Sequence, residues 1–302
     1  MTLVFSSPAA ARHLTPAGHP ERVERLAAVE QGLRGLALTR RDNPAAEGAD
    51  LLRCHPARYV SAIGDAEPEA GIIQLDPDTW MSPGSYDAAV RAVGGACAAV
   101  DAVLSGEARN AFVVARPPGH HAETETPMGF CLFGTVAIAA KRALDHHGLT
   151  RVAVVDFDVH HGNGTQDLLW NEGRALFATS QQMPLWPGTG DPSERGAHGQ
   201  IINLPLPPGS DGQYMRSAYE AAIFPALDEW QPELLLISAG FDAHAADPLA
   251  QLAWREDDFA WLTRRLCAYA GGRVVSCLEG GYDLAALTAS VAAHVGVLQE
   301  QP

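Results

Sequence analysis

The sequence predicts an α/β protein with a mainly parallel sheet and helices on both faces. Short apolar runs, several of them β-branched and uncharged, alternate along the chain with amphipathic helical patterns. Uncharged runs are typical of strands that are buried on both faces, and their alternation with helices is typical of parallel sheets. We predict strands at residues 3–5, 112–115, 151–156, 175–179, 201–204, 234–239 and 273–278.

The helices are predicted between these strands. Helical spacing runs through Val23, Leu26 and Leu33, and an Ala-rich stretch at 85–105 has side chains small enough for close packing. Between them, residues 66–84 are rich in Pro, Asp and Gly and predict a long irregular segment, which is often functional. The predicted helices cover 20–34, 56–65, 85–105, 130–147, 164–171, 213–229, 255–270 and the chain from 283 onward.

Length and composition predict one domain over residues 1–302. The chain is 47% hydrophobic and has no Ser/Gly/Pro-rich linker, charge run or internal repeat. Its formal charge of −15 disfavours nucleic acid and anionic membranes as partners and mildly favours cationic substrates. Five cysteines without a CxxC pair, and an N-terminus without a basic start, predict a cytoplasmic protein with reduced thiols. The oligomeric state is left open.

The segment from 151 to 165 has the strongest chemical signal. A buried strand is followed by Asp156, Asp158 and His160, and then by two glycines that end the strand. In extended backbone, alternate residues project to the same side, so these three side chains would lie together. Two carboxylates and an imidazole suit a divalent metal. Zinc and iron(II) are both compatible with this set.

Three other predicted strands also end in polar residues. His120 and His121 follow the first in a stiff Pro-Pro-Gly loop, and Asp242 and Tyr282 follow the last two. Ligands of parallel sheets bind at the carboxyl ends of the strands, so these side chains are candidates for one site. Asp242 is either a third metal ligand or a helix N-cap, and three protein ligands with an open position are typical of a catalytic metal.

The sequence resembles the zinc-dependent histone deacetylase-like amidohydrolases of class II and bacterial type. This superfamily includes acetylpolyamine amidohydrolases and shares its fold with arginase. The matching motifs occur in family order over nearly the whole chain: GHPER at 18–22, RPPGHHA at 116–122, GFC at 129–131, VDFDVHHGNGTQ at 155–166, PGTGD at 187–191, SAGFDAH at 238–244 and LEGGYD at 278–283.

The resemblance implies a role for each matching residue. It implies catalytic zinc on Asp158, His160 and Asp242, which activates the attacking water, and an oxyanion-stabilising Tyr282. It also implies the tandem pair His120 and His121, with Asp156 supporting the first and Asn163 the second. The expected substrate-binding residues are Gly129, Phe130, Trp186 and Leu249, and the expected ligands of a structural potassium are Asp156, Asp158, His160, Thr179 and Ser180.

The resemblance leaves the substrate open. Polyamine-selective relatives carry a glutamate where this chain has Leu249, so the predicted substrate is acyl-lysine in a peptide or protein, with acetyl as the default acyl group. An acetylated polyamine is the alternative. A weakly active acyl-lysine-binding protein is the less favoured third hypothesis, because such relatives replace the tyrosine that is present here as Tyr282.

Overall fold

In the computed structural model, which describes residues 1–301, the chain is built around one large sheet. The strands are β1 (Thr2–Ser6), β2 (Thr39–Asp42), β3 (Ile73–Gln74), β4 (Trp80–Met81), β5 (Asn110–Val113), β6 (Val152–Asp156), β7 (Ala175–Gln182), β8 (Ile201–Leu206), β9 (Leu234–Ala239) and β10 (Val274–Leu278). Eight of them form a parallel sheet in the order β2-β1-β5-β10-β9-β6-β7-β8, and β3 pairs with β4 in a separate antiparallel hairpin.

Helices cover both faces of the sheet. They are α1 (Glu24–Gly32), α2 (Gly48–Leu51), α3 (Ala57–Ala66), α4 (Ser85–Leu104), α5 (Thr135–Asp145), α6 (Asn163–Leu169), α7 (Gly212–Ala221), α8 (Ile223–Trp230), α9 (Glu256–Leu266) and α10 (Leu284–Glu300), with short 3₁₀ helices at Pro8–Arg12 and Ala270–Gly272. One buried apolar cluster joins the sheet to α2–α6, and a second joins its other face to α1 and α7–α10. The predicted α/β fold is therefore confirmed. None of the helices described is long and apolar enough to cross a membrane.

All seven predicted strands are present, but some local predictions were wrong. The edge strand β2 was missed because all four of its residues are exposed and none is apolar. The irregular segment 66–84 contains the β3–β4 hairpin. The predicted helix at 213–229 is two helices, since the backbone leaves helical geometry at Ala222. The helix predicted from residue 130 begins at Thr135, because the backbone is left-handed at Phe130, with φ of 69°, and is still non-helical at Gly134.

The strand order determines where the site lies. The four strands that end in the predicted polar residues are consecutive in the sheet, in the order β5-β10-β9-β6. Because these strands are parallel, their carboxyl ends lie on the same side of the sheet. The loops that follow the four strands are therefore neighbours at that side.

Buried imidazoles make the stability of this fold depend on pH, and His294 in α10 is the clearest example. Its Nδ1 lies 2.6 Å from Thr263 Oγ1 and its Nε2 lies 2.8 Å from Ser276 Oγ. Thr263 donates its hydroxyl hydrogen to the carbonyl of Phe259, so it accepts from His294, and Ser276 donates to the opposite nitrogen. Burial lowers the pKa of His294 to about 3. A neutral ring therefore fits this position.

We expect His294→Gln to flatten the acid dependence of stability. Between the unfolded-state pKa of about 6.5 and the folded-state value, the unfolded chain binds more protons, so the free energy of unfolding falls as pH falls. Urea unfolding of the metal-free protein at pH 7.5 and pH 5 measures this fall. The variant should lose less stability than the parent on acidification, and the exposed His146→Gln should behave like the parent. An equal fall in all three proteins would contradict the prediction.

Candidate active site

A cluster of two carboxylates and one imidazole lies at the carboxyl ends of β6 and β9. Atoms of Asp158, His160 and Asp242 that can ligate a metal all lie within 4.8 Å of one another, and all three residues are buried. His160 Nδ1 is 3.1 Å from Asp158 Oδ1 and 3.2 Å from Asp242 Oδ2. The three side chains therefore form a possible metal-binding triad whose oxygen and nitrogen donors fit a divalent ion. Asp242 is not a helix N-cap, because the next helix begins only at Glu256.

The backbone around the cluster fixes both carboxylates. Asp242 Oδ1 accepts a 2.9 Å hydrogen bond from the amide of Val159, and Asp158 Oδ2 accepts one of 2.8 Å from the amide of Gly280. A side chain at Gly280 would collide with the carboxylates of Asp242 and Asp158, and one at Gly240 would collide with Asp158. Both glycines are thus required for the close approach of the neighbouring strand ends.

The tandem histidines lie in the loop after β5, and each is held through its Nδ1. His120 Nδ1 is 2.9 Å from Asp156 Oδ2, and His121 Nδ1 is 2.7 Å from Asn163 Oδ1. Burial by itself lowers the pKa of His120, but the carboxylates of Asp158 and Asp156 outweigh it and raise that pKa well above its usual value. Burial lowers the pKa of His121 well below its usual value, and the neighbouring His120 and His160 lower it further. The two rings are therefore electrostatically different.

Tyr282 completes the arrangement from the loop after β10. Its backbone amide donates a 2.7 Å hydrogen bond to Asp247 Oδ2, and its ring lies 5.1 Å from the guanidinium carbon of Arg25. Burial, followed by the charges of Asp242 and Asp158, raises the pKa of Tyr282 well above its usual value. The phenol therefore keeps its hydrogen and remains a donor at neutral pH.

His160 of the cluster lines a mostly apolar cavity of about 220 Å³. It is lined by all four predicted substrate-binding residues together with five others: Gly129, Phe130, Trp186 and Leu249, and Asp78, His121, His160, Leu185 and Tyr282. The Trp186 ring lies 4.7 Å from His121, and the Phe130 ring lies 5.9 Å from Tyr282. A larger open depression of about 550 Å³ at the opposite edge of the sheet is lined by Arg151, Glu233 and Arg273 and contains none of these groups.

Of the residues predicted to bind potassium, Asp158 and His160 belong to the cluster itself, and Asp156 comes two residues before Asp158. Thr179 on β7 is the direct register partner of Asp156 on β6. The Thr179 hydroxyl is fully buried and has no hydrogen-bond partner, whereas the Ser180 hydroxyl lies 2.7 Å from the hydroxyl of Tyr219. The unpaired Thr179 hydroxyl next to Asp156 is therefore compatible with a bound cation. The Ser180 hydroxyl gives no such indication, because it already has Tyr219 as a partner.

Several residues of the site were not predicted. Arg25 on α1 is fully buried and donates hydrogen bonds to the carbonyls of Glu279 and Gly281, so it holds the loop that carries Tyr282. The sequence contained one indication of this role. Arg25 is four residues before Val29 and so lies on the apolar face of a predicted helix, where a charged side chain would be buried. Asp78 was missed because it lies in the segment expected to be irregular. Its Oδ1 accepts a 3.0 Å hydrogen bond from the amide of Gly129 at the cavity wall.

The mainly parallel sheet, the possible metal-binding triad and the adjoining histidines together define the deacetylase class of α/β enzymes. Residues 19–298 match the family described as "Histone deacetylase domain". The chain is 41% identical to the histone deacetylase-like amidohydrolase of Pseudomonas aeruginosa, covering 91% of this chain and 74% of that protein. It is 39% identical to a probable deacetylase of Archaeoglobus fulgidus, covering 90% and 79%. The crystal structure of the HDA15 HD domain superposes with a TM-score of 0.95 at 30% identity, covering 99% of this chain and 91% of that one. The chain belongs to the histone deacetylase family.

Proposed function

We propose that this protein is a zinc-dependent deacylase that hydrolyses the side-chain amide of acetyl-lysine or a similar acyl-lysine. The observation that carries the proposal is that His160 of the metal-binding triad, His121 and Tyr282 line one cavity, with Asp158 and Asp242 beside His160. Family membership supports a deacetylase or amidohydrolase acting on acylated substrates. The whole of residues 1–302 is proposed as a single catalytic domain, and a cytoplasmic location stays a prediction.

The three cluster residues would hold the metal, and their neighbours would carry out the proton transfers. When bound, zinc would supply Lewis-acid polarisation of the amide carbonyl and activation of a water. His121 donates through Nδ1 to Asn163, so its Nε2 is free to accept the proton of the attacking water and then deliver it to the leaving amine. Tyr282 would donate its phenol hydrogen to the developing oxyanion.

The supporting residues complete this proposal. His120, whose Nδ1 lies 2.9 Å from Asp156 Oδ2, would stabilise charge that develops beside the reacting carbonyl. A structural potassium is proposed near Asp156, Asp158, His160, Thr179 and Ser180. The orphaned Thr179 hydroxyl supports this site.

The cavity favours an extended aliphatic chain that ends in an acyl amide. The aromatic side chains of Phe130 and Trp186 line it, and so does the uncharged, apolar side chain of Leu249. No carboxylate at position 249 is available to attract a second, distant ammonium group of a polyamine. An acetylated polyamine is still the second candidate, since the chain is strongly acidic and Asp78 lines the same cavity.

We expect the zinc-replete protein to prefer an acetyl-lysine peptide over an N-acetylated polyamine in a competition assay. Leu249→Glu should shift the ratio of the two kcat/KM values toward the polyamine by roughly fivefold, because one favourable charge interaction at a partly exposed site contributes about 1 kcal/mol. The exposed Leu52→Glu is the control for the added charge and should keep the parental ratio. Turnover of neither substrate would contradict the proposed function, and preference for the polyamine in the parent would favour the second candidate.

A further inference from the structure

The amide of Asn163, the first residue of α6, lies between an imidazole and a carboxylate. Its oxygen is 2.7 Å from His121 Nδ1, and its nitrogen donates a 2.8 Å hydrogen bond to Glu123 Oε1. The same nitrogen is also 3.3 Å from the sulfur of Met128. Asn163 and His121 are buried, whereas Glu123 is half-buried. The three residues therefore form a chain of hydrogen bonds that leads from the cavity toward the surface.

The carboxylate at the end of this chain determines which way the amide faces. A carboxylate only accepts hydrogen bonds, so it favours the orientation in which the NH₂ group of Asn163 points toward Glu123. The Asn163 oxygen then faces His121, whose Nδ1 must carry the hydrogen. In the reversed orientation two acceptors would meet at Glu123, and the NH₂ group would require an unprotonated Nδ1 on His121. The Nε2 atom, which faces the cavity, would then carry the hydrogen and could not accept a proton.

Glu123 is held in place by the loop that also carries His121. Its amide donates a 3.0 Å hydrogen bond to the carbonyl of Thr126. The next residue, Thr124, donates from its amide and its hydroxyl to Asp167 Oδ2 on α6. Both ends of the hydrogen-bond chain thus come from one short loop that is tied to the helix bearing Asn163.

We propose that Glu123 is a positioning residue that orients the Asn163 amide and thereby selects the tautomer of His121 with hydrogen on Nδ1. The inference rests on the proposed function, in which His121 Nε2 accepts a proton. Glu123 acts through Asn163 and does not line the cavity. An aspartate at position 163 would remove the need for Glu123, because a carboxylate accepts from His121 Nδ1 in either orientation and could donate nothing to Glu123.

A double-mutant cycle on the zinc-replete protein tests this coupling. Glu123→Leu should lower kcat by about 10- to 100-fold, the effect of losing one hydrogen bond to a charged group, with KM little changed. In the Asn163→Asp background the same Glu123→Leu substitution should cause no loss. A residue that only stabilised the loop would give the same loss in both backgrounds. Glu125→Leu, two residues along and exposed, is the control and should keep the parental kcat.

A spectroscopic measurement separates this proposal from the proposed function. The ¹⁵N shifts of the His121 ring, assigned by comparison with His121→Gln, should show hydrogen on Nδ1 in the parent and a change toward the other tautomer in Glu123→Leu. If His121→Gln keeps its turnover, the proposed role of His121 in catalysis is wrong. In that case the ¹⁵N shifts of the His121 ring still show whether Glu123 selects the tautomer. Equal losses of kcat in both backgrounds, or unchanged ring shifts in Glu123→Leu, would overturn the inference.

Discussion

Replacing Tyr282 by Phe is expected to lower kcat for an acetyl-lysine peptide by about 10²- to 10³-fold, the usual effect of removing one oxyanion donor. The substitution removes only the hydroxyl. The ring contacts with Phe130 and Arg25 and the backbone bond to Asp247 should remain. KM and zinc content should therefore stay close to the parental values. Steady-state kinetics and metal analysis of the purified variant measure these quantities.

The matched control is Tyr214→Phe, which removes a hydroxyl from an exposed tyrosine on α7. It should match the parent in kcat, KM and zinc content. Parental kcat in the Tyr282→Phe protein would remove Tyr282 from the mechanism. A loss of zinc together with activity would instead indicate that Tyr282 supports the metal cluster.

Replacing Asp242 by Asn should abolish zinc binding and lower turnover by roughly 10³-fold or more, since the metal contributes several kcal/mol to the transition state. Asn retains an oxygen that can accept from the amide of Val159, so the local backbone should be preserved. It removes one of two buried carboxylates that face each other beside His160. The metal-free variant should consequently be at least as stable as the metal-free parent.

Thermal unfolding with and without zinc separates these effects. If zinc binds the folded state as proposed, it should raise the Tm of the parent, and this increase should be lost in Asp242→Asn. Asp65→Asn, on the exposed end of α3, should retain both the increase and the activity. A zinc-dependent rise in Tm that survives in Asp242→Asn would show that Asp242 is not a ligand.

The predictions from sequence were most accurate where one local pattern decided the outcome. The apolar run before Asp156 required a buried strand, and that strand was placed correctly. The extended backbone expected beyond it was wrong, because the strand ends at Asp156 and residues 158–160 form a bend. Patterns failed where tertiary contacts decided instead. The edge strand β2 has no apolar residue, yet it pairs with β1 along its whole length. The supporting residues Arg25 and Glu123 carry no local signal of their distant partners, which lie on other elements.

The sequence by itself determined that this protein has an α/β fold and which side chains follow each strand, because apolar periodicity and glycine positions act over a few residues. Only the tertiary structure decided that β10 and β9 insert between β5 and β6, so that Tyr282 and Asp242 reach the histidine loop and the Asp158 cluster. Strand order depends on how whole helical layers pack against the sheet. That packing is a property of contacts between residues more than a hundred positions apart, such as the amide of Gly280 and the carboxylate of Asp158.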